Sequence, residues 1–127
     1  MFITESILNE IEKKAKCSPR LRANLCLHTS VEDKVQKMIN ILLPGTQIPI
    51  HRHLYTCETL VLLRGSIIIT YHDSHGIETQ RFHLSKESSN VIDIPTGQWH
   101  NVIVEEPAAL LEIKEGPYHP LSKDEIL

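Results

Sequence analysis

The chain opens on a hydrophobic period near 3.6 and then changes to a period of 2. In residues 1–19, Ile7, Leu8 and Ile11 make a narrow apolar stripe. Thr4 or Ser6 can cap its start, and Lys13, Lys14 and Lys16 fall in its last turn, where cations suit the helix dipole. The pattern predicts a short N-terminal helix. Ser18-Pro19 ends it, because the residue before proline avoids the helical region. Over 21–28, Leu21, Ala23, Leu25 and Leu27 alternate with Arg22, Asn24, Cys26 and His28, which predicts a strand with one apolar and one polar face. "TSVEDK" reads as a turn, or as one helical turn capped by Ser30. In "VQKMINILLPG", Val35, Met38, Ile39 and Leu42 fit a helix, while the short length and β-branched run fit a buried strand. The strand is favoured, ended by Pro44-Gly45.

From there the pattern is nearly all β. Residues 59–72 are two runs broken at Arg64-Gly65. "DSHG" is a hairpin turn in which Gly76 can take positive φ, and 77–84 returns. "NVIDIP", "HNVIVEE" and "ALLEIKE" are three further strands. Many short strands punctuated by Gly and Pro predict a sandwich or a barrel.

Composition narrows the function. The 127 residues suit a single domain with one modest core, and the apolar (41%) and charged (23%) fractions are those of an ordinary globular chain. The net charge of -3 and the absence of a basic run argue against nucleic acid. No run is long enough to span a membrane, and the opening residues do not read as a signal peptide. Cys17, Cys26 and Cys57 are odd in number and form no CxxC, so a reduced, cytoplasmic protein is expected. The eight histidines are the unusual feature.

His51 and His53 are two residues apart, so on a strand both imidazoles reach one point. Glu58 follows a short connection and can fold back beside them. His100, aimed by the Pro95 and Gly97 turn, is the best fourth ligand. Three imidazoles and a carboxylate suit one divalent ion from Fe, Mn, Zn, Ni and Co, and in a six-coordinate ion they leave positions open for a small molecule.

These residues carry a resemblance. "GTQIPIHRHLYTCETLVLLRG" (45–65) is similar to the complete first motif of the cupin superfamily. "PTGQWH" supplies the core of the second motif; Ser89 replaces the usual Gly and Val104 the usual Asn, both at turn or packing positions. The resemblance implies an all-β double-stranded β-helix, the cupin jelly-roll barrel, with a short N-terminal helix. It divides the chain into a helical extension (1–19), a barrel (20–118) and a short tail (119–127). A narrower resemblance, through "SPRLRANLCLH", the first motif, "PTGQWH" and "EIKEGPYHP", is to the WbuC family of small bacterial cupin metalloproteins. That family is associated with O-antigen and other surface-polysaccharide biosynthesis.

Other residues are weighed against ordinary surface roles. Arg20, Arg22 and Asn24 can meet an anionic or hydroxyl-rich ligand, or simply face water on an edge strand. Tyr55 can line the pocket opening. Lys114 and Glu112 share a strand face; Glu112 and His28 are candidates to move a proton and Tyr118 to donate a hydrogen bond, the alternative being a solvated ion pair and a covering ring. Trp99 reads as a packing wall, and His72, His75, His83 and His119 as exposed. The expected partner is a carbohydrate-like small molecule, and the expected assembly a homodimer. Three functions follow: a metal-dependent isomerase or epimerase of a sugar, a non-catalytic binding protein for a glycan precursor, or a barrel that the ion merely stiffens.

Overall fold

The computed structural model describes residues 1–127. Helix α1 (Glu5–Lys16) starts where the Thr4 hydroxyl accepts from the Ile7 N–H at 3.2 Å. Eight strands follow: β1 (Arg22–Cys26), β2 (Val35–Leu42), β3 (Glu58–Arg64), β4 (Ser66–His72), β5 (Glu78–Ser85), β6 (Val91–Ile94), β7 (Trp99–Val104) and β8 (Ala108–Glu115). They form two facing antiparallel sheets, β1-β2-β8-β3-β6 and β5-β4-β7, which close as a jelly-roll barrel. The segment that fits either period, 35–42, is a strand. Its neighbours β1 and β8 give it backbone partners on both sides. "TSVEDK" forms no helix. It is a turn, in which the Asp33 carboxylate accepts from the Thr29 and Ser30 N–H groups and the Ser30 hydroxyl accepts from the Glu32 N–H at 3.1 Å.

Period-2 alternation divides the apolar residues between two cores. Leu42, Leu60, Leu62, Ile67, Ile69, Leu84 and Leu110 pack between the sheets. Ile39, Ile41 and Ala109 point the other way and bury Leu8, Ile11 and Ala15 of α1. Burial of each such leucine or isoleucine is worth about 1.5–3 kcal/mol, so α1 is held by its stripe rather than by its length. At the β3–β4 corner the register shifts between Leu62 and Arg64, and Gly65 takes φ +81°. A Cβ there would lie 2.2 Å from the Pro107 carbonyl oxygen, so only glycine fits.

The last residues are built into the fold. Ser122–Leu127 run back across the barrel opening with a single 3-10 turn, Lys123–Glu125. Leu127 N–H donates to the Ile50 carbonyl at 2.9 Å, Arg52 N–H donates to that of Glu125 at 2.9 Å, and Ile126 bridges to His51.

Candidate metal centre

His51 lies just before an irregular loop, and backbone pairing fixes its position. Its N–H donates to the His100 carbonyl at 3.0 Å and its carbonyl accepts from His100 at 2.8 Å, which ties the two histidines of separate segments together. The His53 carbonyl accepts from Gly97 N–H at 2.8 Å, and Gly97 makes the turn with φ +83°. Glu58 opens β3, paired with Ile94 on one side and Lys114 on the other. Loop, turn and strand thus deliver His51, His53, Glu58 and His100 to one place, with a potential ligand atom of each within 4.8 Å of all the others.

The hydrogen bonds select the ligand atoms. His51 Nδ1 lies 2.9 Å from the Pro49 carbonyl and His100 Nδ1 lies 2.9 Å from that of Gln98. A carbonyl only accepts, so each Nδ1 carries the hydrogen and each Nε2 keeps its lone pair. His53 Nε2 and His100 Nε2 are buried and make no hydrogen bond, although Glu58 Oε2 lies 2.6 Å from the first and 4.0 Å from the second. A buried His100 lone pair without a donor, and a buried His53 Nε2 set against a carboxylate that is 5% exposed, make the donor set of a cation site. The residues therefore fit a divalent ion.

Electrostatics agree. Burial, and then the neighbouring His100, push the His51 imidazole down to about 4. Burial likewise lowers His100. Both are neutral and ready to ligate at ordinary pH. Burial would raise Glu58, but the His53 contact and, at the acid pH where this carboxyl titrates, the charges of His100, His53 and Lys114 override it and hold the carboxyl down, at about 2. Glu112 goes the opposite way: burial and the Glu58 charge push it up to about 7.

A cavity of about 370 Å³ leads to the cluster, lined by Arg20, Arg22, Asn40, His51, Glu58 and Glu112 among polar groups and by Leu42, Leu60 and Leu110 among apolar ones. The polar face of β1 thus turns inward at Arg22. Asn24 lies farther out, in a shallow depression with Arg20, Arg22 and Asn40, near Met38 Sδ at 4.0 Å. Glu112 and Lys114 share the inner face of β8, with Lys114 Nζ 3.7 Å from Glu112 Oε2 and both side chains largely buried. They are not a solvated pair. Tyr55, Lys114 and Tyr118 border a separate narrow crevice on the His53 side, where Tyr55 stacks on His119 with ring centroids 4.5 Å apart.

His28 is not brought to the cluster. It sits past the end of β1, where its Nδ1 contacts the Lys37 backbone at 2.8–3.0 Å. Tyr118 is exposed and lines the crevice, outside the larger cavity. His72 is half-buried rather than exposed, bound to Thr70 Oγ1 at 2.8 Å and to the Gly76 carbonyl at 3.1 Å. His75, His83 and His119 are exposed. Trp99 is half-buried, with the Arg52 guanidinium 4.4 Å over its ring.

One residue near the site escapes a reading of motifs. Glu125, 3% exposed, accepts from the Leu54 N–H at 3.0 Å and from the Ser122 N–H and hydroxyl at 3.1 Å. It braces the loop that follows His53. The spacing Ser122-x-x-Glu125 is that of a capping box, the one local signal that marks it.

Among solved structures the chain is similar to the capsular polysaccharide assembling protein CapF from Staphylococcus aureus, at 21% identity and TM-score 0.66, covering 81% of this chain and 28% of that one. This chain therefore spans under a third of CapF. A cupin superfamily protein from Desulfitobacterium hafniense matches at 20% identity and TM-score 0.59, over 74% of this chain and 76% of that one. A protein from Bacillus halodurans matches at 24% identity and TM-score 0.63, over 94% and 83%. These likenesses establish a cupin fold. No curated protein matches. No helix is long and apolar enough to cross a membrane. Residues 3–84 match the family model described as a domain of unknown function, DUF6016, and the chain belongs to that family.

Proposed function

We propose that this is a metal-dependent cupin that acts on a sugar or sugar-derived small molecule in the cytoplasm, as an isomerase, an epimerase or a related proton-transfer enzyme. The observation that carries the reading is the convergence of His51, His53, Glu58 and His100, with two Nε2 atoms buried and unpartnered, at the end of an accessible cavity. A divalent ion held there would supply Lewis-acid polarisation of a carbonyl or a pair of hydroxyls. The chain's own contribution is positional. Glu112 presents a carboxyl to the same cavity beside Glu58, where it can take or return a proton of the ligand. Lys114, 3.7 Å from it, balances the charge. Leu42, Leu60 and Leu110 exclude water along one wall.

The polysaccharide context has two supports: the WbuC-type resemblance in the sequence, and the likeness to a domain-sized part of CapF, itself a capsular polysaccharide assembling protein. A homodimer is part of the same reading. Elemental analysis of the purified protein tests the metal, with one equivalent expected and its absence fatal. Incubation with candidate sugars followed by NMR tests turnover.

A non-catalytic binding role has one observation in its favour. His28 and Tyr118 lie outside the cavity, which leaves Glu112 as the main candidate to move a proton. Saturable binding of a sugar that is recovered unchanged would select that reading.

A further inference from the structure

The metal cluster does not account for the other end of the cavity. Arg20 and Arg22 both front it, and neither is in an ion pair: the acidic groups of the cavity, Glu58 and Glu112, lie instead against histidines and Lys114. Arg22 Nε is buried and has no hydrogen-bond partner. A buried N–H without an acceptor costs about 1–3 kcal/mol. The chain as a whole is acidic, at -3, so two adjacent guanidinium groups are not a by-product of its overall charge. Asn40, on the neighbouring strand, lines both this cavity and the depression beside it and adds an amide to the same wall.

Strand register sets the distance from the ion. Glu58 pairs with Lys114, Lys114 with Gln36, and Arg22 with Leu42. Gln36 and Leu42 are six residues apart on β2, about 20 Å of extended chain at 3.3–3.4 Å per residue. The arginine arm spans only part of that distance, which sets the guanidinium apart from the cation cluster. Leu42, the cross-strand partner of Arg22, and Leu110 line the same cavity. A two-carbon diacid cannot touch both ends. A body the size of a hexose, with hydroxyls toward the ion and an acidic group at the far end, can.

We propose that Arg22, flanked by Arg20 and Asn40, is an anion subsite, and that the ligand is an elongated polyhydroxylated molecule bearing a phosphate or carboxylate at the end away from the metal. The planar fork of arginine matches either group with two parallel hydrogen bonds. The proposal rests on the metal-and-sugar reading for the identity of the ligand's other end, but the anion subsite stands on its own residues.

The test is calorimetric titration of the metal-loaded 127-residue chain with inorganic phosphate, glucose 6-phosphate, glucuronate and glucose. The wild type is compared with Arg22→Gln and Arg22→Lys, and bound metal is measured in each. Phosphate should bind saturably, weaken about tenfold or more in Arg22→Gln, and recover in part in Arg22→Lys, with metal content unchanged. Glucose 6-phosphate or glucuronate should bind more tightly than glucose, and that advantage should vanish in Arg22→Gln; whichever of the two is stronger identifies the anion. Phosphate affinity equal in wild type and Arg22→Gln overturns the subsite, as does glucose binding as tightly as both acidic sugars. Phosphate binding that depends on Arg22 while no sugar binds supports the subsite and overturns the sugar reading. A chain that takes up no metal yet binds phosphate through Arg22 supports the subsite and overturns the metal reading.

Discussion

The two faces of the five-stranded sheet are made by the same strands and do different work. On the outer face, Ile39, Ile41 and Ala109 meet Leu8, Ile11 and Ala15 of α1, and Arg64 of β3 pairs with Glu5 and Glu12 at the edge of that contact. On the inner face, the alternate residues of β2, β8 and β3 include Gln36, Asn40, Glu112, Lys114 and Glu58, together with the leucines of the barrel core. The centre of the outer face is closed by apolar packing, with charge confined to its edge. The inner face holds partly buried charges that are costly unless paired, and it keeps them where the cation cluster and the cavity need them.

The largest expected effect falls on the outer face. Ile41 is fully buried, and Ile41→Ala should cost about 2–5 kcal/mol in chemical denaturation. The fraction that remains folded should still bind metal at the wild-type ratio. A proportional loss of metal would show that the two faces are coupled, contrary to the division drawn above.

His51→Ala and His53→Ala reverse the pattern. Each removes a ligand from the inner cluster, so elemental analysis should find no stoichiometric metal. The thermal stabilisation gained on adding metal, about 2.7 kcal/mol at a hundredfold excess over Kd, should vanish. Chelator-treated wild type and chelator-treated variants should melt within a few degrees of each other. A variant that keeps its metal would mean that the ion, if any, lies elsewhere.

Glu125→Ala probes the brace between the tail and the ligand loop. It leaves the Leu54 N–H without its acceptor, a loss of about 1–3 kcal/mol. Metal affinity should weaken, by less than in the histidine variants, since no ligand is removed. Unchanged metal affinity with lowered stability would reduce Glu125 to a structural role.

How much of this could be read from the chain alone follows from the range of the interactions. The His51, His53 and Glu58 trio was legible because a period of 2 and a short connection are local facts. His100 was legible through the turn that precedes it. The inward aim of Arg22 was not, because strand alternation says that two faces differ but not which one the barrel encloses; the contact of Ala23 and Leu25 with the helix-covered core decides that. His28 continues the same alternation on paper, yet β1 ends at Cys26 and the Lys37 backbone captures the ring. The tail strap was illegible for the opposite reason. Its pairing with Ile50–Arg52 spans over seventy residues and leaves only a capping-box spacing as its trace.

The response to pH is the most discriminating, because it separates two groups on the inner face by its sign. In the chelator-treated chain, the fold holds His51 neutral down to about 4 and lowers His100 as well, in both cases chiefly by burial. Unfolded imidazoles titrate near 6.5. As pH falls from 6.5 toward 4, the unfolded chain takes up protons that the fold refuses, and stability drops; above 6.5 the histidines contribute nothing further. Glu112 does the reverse. Burial and the Glu58 charge raise it to about 7, so the fold keeps a proton that an unfolded carboxyl releases near 4.3. That stabilisation is complete below the unfolded value and is lost as pH rises through 7. Glu58 stays charged throughout, since its proton leaves well below this window. The two responses overlap, so Glu112 should flatten the rise in melting temperature of the chelator-treated wild type between about pH 4 and 6.5 and leave a decline only as pH approaches 7. In Glu112→Gln the declining limb should disappear, leaving a curve that climbs from pH 4 and flattens above 6.5. Superimposable curves for the two proteins would mean that Glu112 does not share a buried pocket with Glu58, and the inner face would lose its candidate for moving a proton.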